Sequence, residues 1–118
     1  MPMGEFAYVM NSNRFLAAAP LQDQDFAVVG IPFDGAVSNR PGARFGPAEV
    51  RRASLMLCDG IHPHFDVSPL ALLGDAGDMR LPNASPLAEV RAIVQRESGD
   101  LMARHHCVFI GGDHSVTL

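Results

Sequence analysis

The sequence predicts an α/β protein built on a mostly parallel sheet, with three strands and crossover helices between them. Short continuous apolar runs at residues 26–31, 70–74 and 107–110 have the length of strands buried on both faces, as parallel strands are. The two intervals between the runs each hold a helix pattern and are long enough for the crossovers that parallel pairing requires. Each helix opens on a residue–proline pair, Gly46-Pro47 and Ser85-Pro86. Proline suits a helix start because its missing N–H would have no partner there.

The 118 residues are 47% hydrophobic and 19% charged, a composition that allows one domain with a core needing neither disulfides nor structural metal. All nine basic residues are arginine, against thirteen acidic ones, for a net charge of −4. No basic run exists to follow a phosphate backbone, so nucleic acid is not an expected partner. Residues 1–5 lack the basic start and apolar core of a signal peptide, and no apolar run nears the roughly 20 residues that span a bilayer. The expectation is a soluble, cytoplasmic protein with no membrane partner. Cys58 and Cys107 form no C-x-x-C pair, and the apolar neighbours of Cys107 predict a buried strand thiol in a reducing compartment.

Residues 1–24 are weakly periodic and read as an N-terminal arm with one helical turn, its Phe15-Leu16 pair packing onto the body formed by residues 25–118. The first strand, 26–31, is rich in β-branched residues and stops at Pro32. Residues 32–46 follow as a long polar loop carrying Asp34, Arg40 and Arg44. A loop of this length in a compact domain is usually functional, and Pro32, Phe33 and Asp34 are candidates to shape an active-site entrance. The helix from Gly46 has Val50, Ala53 and Leu57 at helical spacing, which predicts one apolar buried stripe. Residues 59–69 form an irregular connection, 70–74 the second strand, and Asp75-Ala-Gly-Asp78 a turn after it. Ser85 caps the second helix, Pro86 takes its first position, and Leu87, Val90, Val94 and Leu101 mark one face. That helix reaches about His105, weakened at Gly99 by about 1 kcal/mol relative to alanine. His105-His106 ends it, where an imidazole complements the dipole.

The third strand runs into Gly111-Gly-Asp-His-Ser115. Ligands in open α/β sheets sit beyond the carboxyl ends of strands, so Asp113 and His114 are delivered to the usual place for chemistry. His114 is the foremost candidate metal ligand, although capping the helix after the strand is an alternative for it. Asp113 and Ser115 are expected to hold the turn or orient ligands, and Gly111 and Gly112 to let the backbone turn tightly. His62-Pro63-His64 resembles a chelating pair but lacks partners at ligand spacing apart from Asp66. Asp75 and Asp78 are open to an acid/base reading or a structural one. Arg40 and Arg44 are expected in interloop or intersubunit ion pairs, since a cationic substrate would repel them.

Four segments in register, Gly30-Ile-Pro-Phe-Asp-Gly35, Arg40-Pro-Gly-Ala-Arg-Phe-Gly-Pro47 with Val50-Arg51, Asp75-Ala-Gly-Asp78 and Gly111-Gly-Asp-His-Ser115, resemble the ureohydrolase (arginase/agmatinase) family, its agmatinase-like branch in particular. The resemblance covers about residues 15–118 and only the N-terminal third of such a protein. It implies a three-layer, arginase-like sheet and two Mn2+ ions sharing a hydroxide that attacks the guanidinium carbon of a small substrate, releasing urea and an amine. A guanidinium is a poor electrophile, so a metal-generated nucleophile suits the task. The resemblance makes His114 a ligand of one manganese ion and gives Asp75 and Asp78 a supporting role. The family's other ligands lie in Asp-Ala-His-x-Asp and Asp-x-Asp segments that these residues do not contain, and Asp75-Ala-Gly-Asp78 lacks the histidine. The isolated chain is therefore expected to hold no complete catalytic set, to be inactive by itself and to be a homo-oligomer. The alternative is a truncated, noncatalytic relative acting as an assembly module.

Overall fold

The computed structural model describes residues 8–9, 13–33, 42–57, 61–82 and 86–112. The three expected strands are present and parallel: β3, Phe26–Ile31, lies between β4, Leu73–Met79, and β5, His106–Gly111. Two short strands from the N-terminal segment complete the sheet. β1, Tyr8–Val9, runs antiparallel to the carboxyl end of β4, and β2, Ala19–Pro20, runs parallel to its amino end. The order is β1-β4-β3-β5, with β2 also on β4. Two-residue strands carry no periodicity, which is why the sequence pattern does not reveal them.

Side chains of β3 alternate between two helical layers, as strand geometry requires. Ala27, Val29, Ile31 and Phe33 pack with Met79 beneath Val90, Val94 and Leu101 of α2, Leu87–Met102. On the other face Val28 joins Leu73 and Ala18, with Phe15, Leu16, Leu70 and Ile110 packed against them. The expected Phe15-Leu16 contact is thus present, in a single 3-10 turn at Phe15–Ala17. α1, Gly46–Ser54, extended by a 3-10 turn at Leu55–Leu57, covers the carboxyl half of that second face. Three layers result.

Four details depart from the sequence reading. The second strand begins and ends later than expected, so Asp75 to Asp78 lie inside β4 and not in a turn after it. The register of β3 against β4 shifts there: Val28 faces Asp75 but Val29 faces Gly77, and Gly77 takes φ +83°, a left-handed conformation that glycine adopts without strain. In α1 the buried residues are Pro47, Arg51 and Ser54, whereas Val50, Ala53 and Leu57 are exposed. Two buried carboxylates beneath the helix draw a cation inward, and this outweighs the apolar pattern. α2 starts one residue later than expected, the Pro86 carbonyl accepting from Glu89 and Val90 N–H, runs through Gly99 unbroken and stops at Met102. His105 and His106 therefore follow the helix: His105 is buried with Nδ1 2.5 Å from the Gln24 carbonyl, and His106 opens β5. The expected caps at Ser85 and the loop residues Asp34 and Arg40 lie outside the described residues, as do Cys58, Asp113, His114 and Ser115.

No helix among the described residues is long and apolar enough to cross a membrane. β5 stands out for a different reason. Val108 on one face and Phe109 on the other are 53% and 37% exposed, and among the described residues β5 pairs only with β3. An uncovered edge flanked by apolar side chains is a template for strand pairing. The isolated 118-residue chain is expected to self-associate in light scattering at working concentration, and Val108→Lys to reduce this; a monodisperse wild-type monomer would contradict the expectation.

Candidate functional site

The carboxyl ends of β3, β4 and β5 lie at one edge of the sheet, and beneath α1 at that edge stands a buried ion cluster. Arg51 is fully buried. Its Nε and Nη2 donate to the two oxygens of Asp75, each at 2.8 Å, its Nη1 donates to Asp78 Oδ1, and Nη2 also reaches the Gly77 carbonyl at 3.1 Å. Asp75 further accepts from the N–H of Gly77 and of Phe15, both at 2.8 Å. Residues three apart on a regular strand point to opposite faces. The extra residue of the bulge at Ala76 and Gly77 brings Asp75 and Asp78 to the same face, so one guanidinium can hold both.

Arginine is the residue that fits this place, because its planar fork offers parallel donors to a carboxylate and a third to its neighbour. Burial alone would lower the Arg51 pKa, but the hydrogen bonds and charges of Asp75 and Asp78 outweigh it and raise it. Burial would raise the Asp75 pKa; the hydrogen bond from Arg51 and those from the Phe15 and Gly77 N–H groups hold it below the usual carboxylate range. A depressed folded-state pKa contributes stability that is present above the unfolded-state value, about 4 for aspartate, and disappears as pH falls through the folded value. Asp75→Asn is therefore expected to remove part of the acid sensitivity of unfolding below about pH 4, measured as denaturation midpoint against pH. An unchanged pH profile would contradict the assignment.

The cluster extends to the sheet and to the N-terminal segment. A Cβ on Gly30 would collide with Asp78 Oδ1 and lie 2.9 Å from Pro47 Cβ. Ser54 Oγ accepts from the Leu16 N–H at 2.8 Å and donates to the Arg51 carbonyl at 2.6 Å. These bonds hold Leu16 and Ala17 at φ +53° and +54°, a conformation that costs non-glycine residues energy.

At the end of β5, Gly112 donates its N–H to the Ile31 carbonyl at 2.9 Å, and Phe33 N–H donates to the same oxygen at 2.9 Å. A Cβ on Gly112 would strike the Phe33 carbonyl and lie 2.7 Å from its nitrogen, so the approach of the two chains requires glycine. Of the loop candidates, Phe33 is buried in the core beneath α2, while Pro32 lines a cavity of about 630 Å3 with Arg44, Phe45, Asp78, Met79, Arg80, Leu81 and Pro82. The Arg44 guanidinium lies 5.2 Å from the Phe45 ring centroid.

The described residues do not make a metal centre by themselves: no group of three or more His, Cys, Asp or Glu is assembled among them. Asp75 and Asp78, the carboxylates nearest the edge, are held by Arg51. His62 Nδ1 accepts from the N–H groups of His64 and Phe65 at 3.1 and 3.2 Å, so the histidine pair forms a local turn. Burial pushes the Cys107 thiol up, away from reactivity. The sequence reading missed Arg51 as a hub. Its one signal is its place after Val50, behind the Arg40-to-Pro47 segment, and this acquires meaning only once two aspartates stand beneath it.

The model of the arginase family matches residues 24–118. The chain belongs to this family. An agmatinase of Pyrococcus horikoshii is 36% identical over 104 residues, 86% of this chain and 36% of that protein. A formimidoylglutamase of Halobacterium salinarum is 35% identical over 96 residues, 80% of this chain and 30% of that protein. Among solved structures, the proclavaminate amidinohydrolase of Streptomyces clavuligerus superposes with a TM-score of 0.78 at 31% identity, over 93% of this chain and 38% of its own. The chain thus spans about a third of the length of the relatives it matches, and the α/β fold expected from the sequence is the fold they share.

Proposed function

We propose that a full-length polypeptide carrying these residues hydrolyses a small linear guanidino compound to urea and an amine, as an agmatinase-like, manganese-dependent amidinohydrolase. The observation that carries this is the arginase-family match across residues 24–118, which includes the Gly111-Gly-Asp-His-Ser115 motif. The match supports the class of reaction, and the position of Gly111 and Gly112 beside Ile31 and Phe33 supports the place.

In this reading His114 is one ligand of a binuclear manganese site, Asp113 and Ser115 orient it, and the remaining ligands come from segments other than these. The residues described here do the supporting work. Gly112 closes the β3–β5 seam, and the Arg51 cluster fixes α1 and β4 beside it. Asp75 carries no proton-transfer role, because both its oxygens are engaged with Arg51 and backbone donors, and Asp78 supports the site through its Oδ1 bond from Arg51.

The test is a survey of linear guanidino compounds, agmatine and 4-guanidinobutyrate among them, with the full-length polypeptide and manganese. Urea release from at least one is expected. Formamide released from a formimino compound, with no urea from any guanidino compound, would move the protein to another branch of the family. The exposed apolar residues of β5 favour a second reading, an assembly module without catalysis; it predicts neither product.

A further inference from the structure

The support that the Arg51 cluster gives the carboxyl edge reaches further than α1 and β4. Arg51 and Asp75 are both fully buried, yet Arg51 lies on a helix and directs its side-chain hydrogen bonds to Asp75, Asp78 and Gly77, not to Gly111 or Gly112. Its connection to them runs through the start of its own helix. Pro47, one turn before Arg51, packs its Cβ where a side chain on Gly30 would be, and Gly46 stands against the Gly111 carbonyl so closely that an added Cβ would lie 3.1 Å from that oxygen. Gly30 in turn pairs with Asp78 on one side and with Ile110 on the other. The guanidinium therefore fixes how deeply α1 sits on the sheet, and the depth of α1 fixes where the end of β5 stands.

We infer that Arg51 is a positioning residue: by clamping the bulge of β4 to α1 it sets, through Gly46 and Pro47, the position of the Gly111-Gly112 turn from which the Asp113-His114-Ser115 motif continues. This rests on the proposed function for its catalytic consequence but not for its structural one. A lysine at 51 has the same charge but a single ammonium, which cannot satisfy the two oxygens of Asp75, Asp78 and the Gly77 carbonyl in the same geometry. α1 then loses its fixed depth. Displacement of a site by about 1 Å commonly lowers turnover by about a hundredfold.

Two variants of the full-length polypeptide separate positioning from simple stabilisation. Arg51→Lys is expected to increase deuterium uptake at residues 106–112 and to lower kcat by about tenfold or more with little change in KM. Gly46→Ala leaves the buried charges alone and sits at φ −55° and ψ −52°, where alanine favours the helix. The Gly111 carbonyl must then yield by a few tenths of an ångström. This variant is expected to match or exceed the wild type in melting temperature while still raising uptake at 106–112 and lowering kcat. Should Arg51→Lys fail to fold, Gly46→Ala decides alone. Unchanged exchange at 106–112 in Gly46→Ala, or in a folded Arg51→Lys that is merely less stable, would overturn the inference. If the wild type releases no urea, the proposed function fails, and the exchange measurement still decides the role of Arg51.

Discussion

Arg51→Met is expected to cost roughly 3–5 kcal/mol of stability, read as a shift of the urea-denaturation midpoint at neutral pH. The magnitude follows from what remains: Asp75, with no exposed side-chain surface, and Asp78, 12% exposed, would keep their charges without the cation. Removing one partner of a buried pair is far worse than removing the whole pair, because the orphaned charge bears the full cost of leaving water. A triple variant, Arg51→Met with Asp75→Asn and Asp78→Leu, which removes all three charges and keeps an acceptor for the Phe15 or Gly77 N–H, is accordingly expected to recover part of the loss. A cost below about 1 kcal/mol for Arg51→Met, the range of exposed ion pairs such as Arg52 with Glu49, would show that the cluster is not what ties α1 to the sheet.

His114→Ala in the full-length polypeptide is the second large effect. In the proposed function it removes a group that holds manganese directly. The loss of urea release should therefore exceed the roughly 10–100-fold that accompanies replacement of a residue orienting a metal ligand. Ser115→Ala should fall within or below that range. Metal content after dialysis, measured beside the rate, distinguishes the cases: His114→Ala should retain less manganese than the wild type. Wild-type content and rate in that variant would remove His114 from the ligand set.

What could be read from the sequence follows from which signals are local. β3 was legible because Phe26–Ile31 is apolar, β-branched and closed by Pro32, and a strand buried on both faces needs no more than that. α2 was legible because Val90, Val94 and Leu101 repeat at helical spacing against the apolar side chains of β3, Glu97 being the one buried residue of the helix outside that pattern. α1 was not, since its buried face is chosen by the charges beneath it. Arg51 is inward because Asp75 and Asp78 are there, and both are there because Gly77 adopts a left-handed conformation that shifts the strand by one residue. In sequence alone, two aspartates around Ala-Gly have the composition of a turn. The inverted face of α1 and the misplaced end of β4 are thus one event seen from two elements. The short strands β1 and β2 escaped for a different reason, as their pairing with β4 is decided by tertiary placement and not by two residues of pattern.

The carboxyl-edge motif is a further case. In sequence, Gly111-Gly112 reads as a pair that lets the backbone turn tightly, whereas the structure shows Gly112 to be required by the close approach of the Phe33 backbone. The consequence for Phe33 was not readable, because a phenylalanine after Ile-Pro at the head of a polar loop has no sequence mark of burial. Its ring belongs to the core under α2 while its backbone meets Gly112.

In the proposed function, the carboxyl edge formed by β3, β4 and β5 is one part of a site for guanidino hydrolysis, and segments of the full-length polypeptide other than these supply the rest. The most direct test is urea production, with the amine measured alongside, by the full-length polypeptide and by the isolated 118 residues under the same manganese concentration. The prediction is equimolar urea and amine from the former and none above background from the latter. Turnover by the isolated chain, or none by the full-length polypeptide on any guanidino compound, would contradict it.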